Sequence, residues 1–394
     1  MPLGLYISVP FCRTKCTYCN FASDVFSKSV FQAYVNRLAR DLEQAPATAE
    51  QMGGQFERAV DTIYLGGGTP TILDISQLKQ LFVTISQNFD VQAESEITME
   101  CAPGTLKQDV IDALRELGVN RVSLGVQSFV DKEAASVGRL HKAKTVFDDI
   151  ARLRAAGISE INIDLIAGLP HQTHQGWEFS LEQSIACEAP HVSIYMLEVD
   201  DDSRLGRELI AGGTKYHAHF VPDEDLTADL YVMACERMES AGVHQYEISN
   251  FARRGHESRH NLKYWTRQPY LGFGVDAHSM LKVTSDQRVY AVRFSTCDSL
   301  EEFMAGAPIT RTPVGQQAAI EEAFFLGLRL TGGVDLQRVS GEFGVSAVAA
   351  FRPAIVELIK AELLEEQGNV IRVTPRGRLL SNEVFQRFIS NPVA

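Results

Sequence analysis

The sequence of 394 residues lacks the features that mark membrane-spanning and secreted proteins. It contains no continuous apolar run of about 18 residues, the length that a membrane-spanning helix needs. Its first residues, MPLGLYISVPFC, show no basic segment, apolar core or small-residue cleavage site of a secretory signal. We therefore expect a cytoplasmic protein. In that reducing compartment clustered cysteines bind metals or do chemistry more often than they form disulfides.

An excess of basic residues is also missing. The chain has 37 Lys and Arg against 50 Asp and Glu, which gives a formal net charge of −13. Because binding to a phosphate backbone requires a positively charged face, we expect no nucleic-acid partner. The apolar fraction of 45% and the charged fraction of 22% are ordinary for a globular protein, and the length allows a barrel-sized domain with a smaller one attached.

The first half of the chain alternates short β-rich apolar segments with amphipathic segments of helical length. The predicted strands are 5–10, 61–66, 96–101, 121–126, 160–168 and 192–199, and the clearest helices are 30–44, 75–89 and 107–118. Strands that alternate with helices predict right-handed crossovers and a parallel sheet. Six such units predict an α/β fold, a partial (β/α)6 TIM-like barrel, with a doubly wound sheet as the alternative.

Three domains follow from this pattern. Residues 1–200 are expected to form the partial barrel, 201–310 to extend it, and 311–394 to form a C-terminal module. In that module the sequence predicts helices over 316–330, 335–344 and 351–366, a hairpin through 368–377 and a last helix, an α+β, winged-helix-like order. Residues 315–394 hold eight basic against nine acidic residues, so we expect a docking or lid module and no DNA-reading surface.

Three of the seven cysteines lie within eight positions, immediately after the first predicted strand. Cys12, Cys16 and Cys19 have the spacing C-x3-C-x2-C. The other four cysteines are isolated in the sequence and offer no second pair for a four-ligand zinc site: Cys101, Cys187, Cys235 and Cys297. Three thiolates in one loop suit an iron–sulfur cube whose fourth iron stays open, and a structural zinc loop or ordinary buried thiols are the alternatives.

Further polar and glycine-rich residues follow the other predicted strands. GGGTPT (66–71) follows the second strand, Glu100 closes the third, Gln127 follows the fourth, and Asp164 lies late in the fifth. Functional residues of parallel α/β folds lie at the carboxyl ends of the strands. We therefore expect these residues and the cysteine loop to form one site.

The cysteine loop, with Tyr18 just before its last cysteine, and the GGGTPT loop resemble those of the radical S-adenosylmethionine (SAM) superfamily. The finer resemblance is to the branch of oxygen-independent coproporphyrinogen III oxidases and HemW-like haem chaperones. Seven segments carry it: YISVPFCRTKCTYCNF, YLGGGTPT, EITMECAPGTL, RVSLGVQSF, INIDLIAGLP, YEISNFARRGHESRHNLKYW and YLGFGVDAHS. It implies a [4Fe-4S] cluster on the three cysteines and SAM at the open iron. It also implies the following SAM contacts: Tyr6, Tyr18, Gly67, Gly68, Thr69, Glu100, Gln127, Arg139 and Asp164.

Two departures from the oxidase pattern favour the chaperone side of this branch. Phe21 stands where the oxidases carry a fourth cysteine, and HNLKYW (260–265) resembles a motif of the chaperones. Within that motif His260 is a candidate axial ligand of haem iron, and Tyr264 and Trp265 offer flat surface to a macrocycle, while a hydrogen-bonded core histidine is the alternative. His278 is a weaker candidate. A third departure, Cys101-Ala102 in ECAPG, removes an amide next to Glu100.

The resemblance implies a radical SAM-type haem chaperone that binds haem and passes it to an apo-haemoprotein. The alternatives are oxygen-independent oxidative decarboxylation of coproporphyrinogen III and a zinc-bound scaffold without redox chemistry. The implied partners are haem or another porphyrin, the recipient haemoprotein and an electron donor such as a flavodoxin or a ferredoxin. Peripheral membrane contact through the recipient and a homodimer are compatible with this picture.

Overall fold

The computed structural model describes residues 1–283 and 289–390. The first six strands alternate with helices: β1 (Leu3–Val9), β2 (Ala59–Gly67), β3 (Asp90–Cys101), β4 (Arg121–Gln127), β5 (Glu160–Ala167) and β6 (His191–Met196). The helices up to β6 are α1 (Phe31–Glu43), α2 (Ala45–Met52), α3 (Ile75–Asn88), α4 (Gln108–Glu116), α5 (Asp131–Ser136), α6 (Ala143–Ala155) and α7 (His174–Ala186). All six predicted strands and the three clearest predicted helices are confirmed.

Within residues 1–283 and 289–390, six further strands extend this sheet, and three form a separate small one. The next strands are β7 (His244–Gln245), β8 (Asn250–Ala252), β9 (Tyr270–Phe273), β10 (His278–Lys282), β11 (Val289–Ser295) and β12 (Thr310–Gly315), and the small sheet holds β13 (Val334–Asp335), β14 (Leu364–Gln367) and β15 (Val370–Val373). The later helices are α8 (Arg204–Ala211), α9 (Glu224–Ser240), α10 (Arg259–Trp265), α11 (Leu300–Ala305), α12 (Gln316–Phe325), α13 (Leu336–Phe343), α14 (Val345–Lys360), α15 (Pro375–Leu379) and α16 (Ser381–Gln386).

The large sheet has the order β12-β11-β10-β9-β1-β2-β3-β4-β5-β6-β8-β7. Strands β1 to β6 are parallel and lie side by side in sequence order. A doubly wound sheet would reverse its strand order partway, so the sequential order supports the partial barrel. The two edges, β12 and β7, are not paired with each other, so the barrel is open. In the described residues no helix combines the length and the apolarity needed to cross a membrane.

Side chains of the parallel strands alternate between the helical layer and the lumen, as the two-residue period of a strand requires. The odd-numbered residues of β1 from 3 to 9 are fully buried in the main hydrophobic core. Gly4 faces the lumen, where a Cβ would lie 2.9 Å from the Thr62 hydroxyl, and Tyr6 lies beside Tyr64 with ring centroids 6.0 Å apart. The lumen is therefore lined by polar and aromatic side chains.

Helix α10, which carries the HNLKYW motif, closes the lumen near the amino ends of the strands. Its Lys263 is 2% exposed, pairs with Asp61 at 2.7 Å and donates a hydrogen bond to the Pro2 carbonyl at 3.0 Å. A buried ammonium group needs such partners, because its desolvation is costly. The motif thus fixes α10 to the first two strands of the barrel.

The C-terminal module contains helices α12 to α14, the hairpin β14–β15 and two short last helices, which agrees with the predicted winged-helix-like order. The predicted helix over 351–366 is wrong at its end, because α14 stops at Lys360 and β14 begins at Leu364. Glu362 has a left-handed φ of 60°, and Leu364 pairs with Val373, so hairpin pairing overrides helix propensity there. The domain boundaries at 200 and 310 stay predictions.

Candidate functional site

The cysteine loop leaves the carboxyl end of β1 and is held by backbone hydrogen bonds within itself and to two other segments. The Cys12 amide donates to the Asp24 carbonyl at 2.9 Å, which closes the loop on itself. The Thr17 amide donates to the Val137 carbonyl at 3.2 Å, and its own carbonyl accepts from the Leu205 amide of α8 at 2.9 Å. The loop position is therefore fixed by the folded backbone around it.

The glycine-rich loop after β2 binds directly to the cysteine loop. The Gly68 amide donates to the Val9 carbonyl at 2.9 Å, and the Thr69 amide donates to the Phe11 carbonyl at 2.8 Å. A Cβ on Gly68 would lie 2.6 Å from the Phe11 carbonyl oxygen and 2.9 Å from the Cys12 sulfur. Only glycine fits this close approach, which explains the residue type in physical terms.

A cavity of about 330 Å³ at the carboxyl ends of the strands brings most of the predicted site together. Its lining contains all three loop cysteines and eight of the nine predicted SAM contacts: Tyr18, Gly67, Gly68, Thr69, Glu100, Gln127, Arg139 and Asp164. The ninth, Tyr6, lies one layer deeper in the lumen and lines a second cavity, which shares Gly67 with the first. The assignment of these residues to SAM itself stays a prediction.

Two carboxylates face this cavity in hydrogen-bonded settings. Glu100 accepts from the Tyr64 hydroxyl at 2.7 Å and from the Gly67 amide at 3.2 Å, while burial raises its pKa to about 7. Asp164 accepts from the Ser123 hydroxyl at 2.9 Å and from the Asn162 amide at 2.7 Å, and burial raises its pKa as well. Both groups are oriented acceptors that suit the hydroxyls of a sugar.

Gln127 and Arg139 carry polar atoms that the described protein residues leave without hydrogen-bond partners. Gln127 has a left-handed φ of 68°, and its buried Oε1 has no partner, like the buried Nε of Arg139. Arg139 also donates from Nη2 to the Tyr18 hydroxyl at 3.2 Å. Buried polar groups without partners are costly, so a polar ligand in the cavity would relieve both.

The three loop cysteines are the residues that would hold an iron–sulfur cluster. No group of three or more His, Cys, Asp or Glu side chains is arranged for one ion in residues 1–283 and 289–390. A cube binds each thiolate to a different iron and therefore does not require three sulfurs to converge on one point. Burial raises the pKa of the Cys12 thiol, and hydrogen bonds with Ser23 and Thr69 oppose that rise. Binding to iron would therefore have to stabilise the deprotonated thiolate form.

The predicted haem contacts do not lie together on one accessible surface. His260 is 1% exposed, and its ring nitrogens are hydrogen-bonded to Thr62 at 2.9 Å and to Tyr264 at 2.8 Å. Burial lowers its pKa to about 3, so the ring is neutral, but neither nitrogen is free for iron in this conformation. Trp265 stacks under Arg329 of the C-terminal module at 4.2 Å, and Tyr264 lines the second cavity. The geometry of His260 matches the alternative of a hydrogen-bonded core histidine.

Several cavity residues escaped the prediction from sequence. Tyr64 and Ser123 hold the two carboxylates, and Tyr195 lines the cavity from the end of β6. The two-residue period of a strand could have identified them, because each lies an even number of residues from another lumen-facing residue of the same strand. The sequence analysis predicted the strand β6 but no site residue on it, although functional residues are expected at its carboxyl end as well.

Comparisons with known proteins agree with this architecture. Residues 6–183 match the family described as the Radical SAM superfamily, and residues 315–380 match the HemN C-terminal domain. A solved structure, "Coproporphyrinogen III oxidase (HemN) from Escherichia coli is a Radical SAM enzyme", superposes with a TM-score of 0.83 at 24% identity, over 98% of this chain and 90% of that one. This likeness supports the fold.

Full-length relatives share the name "Heme chaperone HemW". The protein from Bacillus subtilis (strain 168) is 36% identical over 98% of both chains. The one from Lactococcus lactis subsp. lactis (strain IL1403) is 32% identical over 100% of this chain and 98% of its own, and the one from Escherichia coli (strain K12) is 31% identical over 99% and 98%. The chain therefore belongs to the HemW family within the radical SAM superfamily.

Proposed function

We propose that the chain is a radical SAM-type haem chaperone. In this proposal it carries a [4Fe-4S] cluster on Cys12, Cys16 and Cys19, binds SAM beside it, and delivers haem to an apo-haemoprotein. The observation that carries the cofactor part is the single cavity that contains the three cysteines together with eight of the predicted SAM contacts. The names of the full-length relatives support the haem part.

The chain's own residues have distinct roles in this site. The three thiolates would hold three irons and leave the fourth for the amino and carboxylate groups of SAM, and Arg139 would pair with a carboxylate. Glu100 and Asp164 would accept hydrogen bonds from ribose hydroxyls, since each is already oriented by two protein donors. Gly67 and Gly68, which also line the cavity, would let the backbone approach the ligand closely. Bound there, the cluster and SAM would supply one-electron chemistry.

Phe21 bears on the choice between chaperone and oxidase. Phe21 is 63% exposed and lines both cavities. By the sequence resemblance, it stands where the oxidases carry a fourth cysteine. The loop therefore offers an apolar surface where the resembling oxidases offer a thiol. His260, Tyr264 and Trp265 stay predicted haem contacts.

The decisive measurement is the absorption spectrum and the iron and sulfide content of anaerobically purified protein, before and after haem is added. We expect about four irons and four sulfides per chain, and a Soret band on titration with haem. Zinc without sulfide would support the scaffold and refute the cluster, whereas a cluster without any Soret band would refute only the haem part.

Oxygen-independent coproporphyrinogen III oxidation is the second candidate, because each of the predicted SAM-binding side chains is present at the cavity or beside it. Reconstituted protein can be incubated anaerobically with a reductant, SAM and coproporphyrinogen III. The chaperone proposal expects no decarboxylated product. Formation of protoporphyrinogen would refute the chaperone proposal and support the oxidase.

A further inference from the structure

A second cavity of about 310 Å³ adjoins the first one on the side of β9 and β10. The two cavities share Phe21, Ser23 and Gly67, so only one layer of residues separates them. Aromatic rings from three elements line the second cavity: Tyr6 from β1, Tyr264 from α10, and Tyr270 from β9. Flat aromatic walls of this kind suit a flat, largely apolar ligand.

The side chain of His278, at the start of β10, completes this lining. It is 68% exposed, and neither ring nitrogen makes a hydrogen bond to any of the described residues. Its Nε2 lies 3.6 Å from a carboxylate oxygen of Asp276, which is too long for a hydrogen bond. His260, by contrast, has both nitrogens engaged and almost no exposure. Of the two, His278 is the one with a nitrogen available to a metal.

The loop before His278 is closely packed and hydrogen-bonded, which matters because a ligand must be held in place to bind well. Gly274 has a left-handed φ of 104°, and a Cβ there would lie 2.4 Å from the Tyr34 hydroxyl. Asp276 has a φ of 53°, and its amide donates to the Cys297 carbonyl at 2.8 Å. The carboxylate and the imidazole are thus presented to the cavity by a fixed backbone.

We propose that haem binds in the second cavity with a ring nitrogen of His278 as an axial ligand of the iron. The macrocycle lies against Tyr264, Tyr270 and Phe21, and Asp276 attracts the proton on the other imidazole nitrogen, as carboxylates beside metal-binding histidines do. A cavity of 310 Å³ is at the small end of ligand clefts, about 300–1,000 Å³, so part of the haem stays exposed. Exposure suits a cargo that has to be passed on. The proposal rests on the haem-binding function proposed above.

Haem titration of the full-length, cluster-reconstituted protein tests this assignment. We compare wild type with His278→Ala and with His244→Ala, whose side chain is 43% exposed and lines neither described cavity. His278→Ala should weaken haem binding by about tenfold or more and shift the Soret band, while His244→Ala should match wild type. Added imidazole should restore the wild-type spectrum of His278→Ala, which loss through misfolding would not allow. His278→Met should give a different spectrum, that of a sulfur ligand.

Different outcomes separate this inference from the proposed function. An unchanged Soret band and affinity in His278→Ala would overturn the ligand assignment and leave haem binding standing. Loss in His260→Gln alone would also overturn it, in favour of the HNLKYW histidine. Wild-type protein that carries the cluster but binds no haem would refute the haem function itself, and the inference with it.

Discussion

Gly68→Ala should disturb the cysteine loop through backbone crowding. The new Cβ would lie 2.6 Å from the Phe11 carbonyl oxygen, 2.9 Å from the Cys12 sulfur and 2.9 Å from the Val9 carbonyl oxygen. Real Cβ atoms essentially never approach this closely, so something must shift. Two of the three atoms belong to the backbone, and both carbonyls accept hydrogen bonds from residues 68 and 69. The loop cannot yield by rotating a side chain.

Overpacking of this kind costs about 1–3 kcal/mol, and the strain falls on the segment that carries the first cluster ligand. We therefore expect the apo protein to unfold at lower urea concentration, and the reconstituted protein to hold clearly less iron and sulfide than wild type. Gly332→Ala is the matched control, because no atom lies within 4 Å of its Cβ position. Full cluster content and unchanged unfolding in Gly68→Ala would refute the crowding argument. Lower stability with full cluster content would show that the loop shifts without moving Cys12.

Three further changes have defined outcomes. Cys16→Ser should abolish the cluster but leave the far-ultraviolet circular dichroism spectrum unchanged. Cys297 is half-buried and lies outside the described cavities, so Cys297→Ser should keep the full iron and sulfide content. Full iron and sulfide content in Cys16→Ser would contradict the ligand assignment. Because burial raises the pKa of Glu100 from 4.5 to about 7, its protonated form stabilises the apo fold fully below pH 4.5, and this contribution is lost as pH rises through 7. Glu100→Gln should remove about 3 kcal/mol of that pH dependence of the unfolding free energy in urea titrations, and an identical pH dependence in both proteins would refute this reasoning. Arg329→Ala should destabilise the protein by about 3–5 kcal/mol in thermal or urea unfolding, because it leaves the fully buried Glu247 without its ion pair at 3.3 Å, and adding Glu247→Gln should recover much of the loss. No recovery in that double variant would locate the effect in the stack on Trp265 instead.

Much of the barrel could be predicted, because its strands form short apolar segments in the sequence and clear amphipathic helices separate them. The carboxyl-end rule then placed Cys12, Glu100 and Asp164 at one mouth, and the cavity contains them all. Local patterns are sufficient here, since each unit repeats the same order of strand, loop and helix.

The surroundings of HNLKYW could not be predicted from the sequence. The motif suggested an available histidine, but one of the two hydrogen-bond partners of His260, Thr62, comes from β2, almost 200 positions earlier in the chain. The contact with Tyr264 is a local one, four residues on along α10, but nothing local indicates that Thr62 occupies the other ring nitrogen or that Trp265 meets Arg329. Strands β9 to β12 were also missed. Only β9 pairs with β1, which is distant in the chain, and β10 to β12 extend the sheet outward from β9.

The unjoined edges of the large sheet affect how this architecture can change. A closed eight-stranded barrel is just wide enough for its own side chains to fill. Here twelve strands spread without meeting, and a seven-residue helix, α10, forms the floor of the chamber. The volume of the chamber therefore depends on a few side chains of that short helix. Substitutions there can change the volume for a larger or smaller ligand without changing the strand pairing.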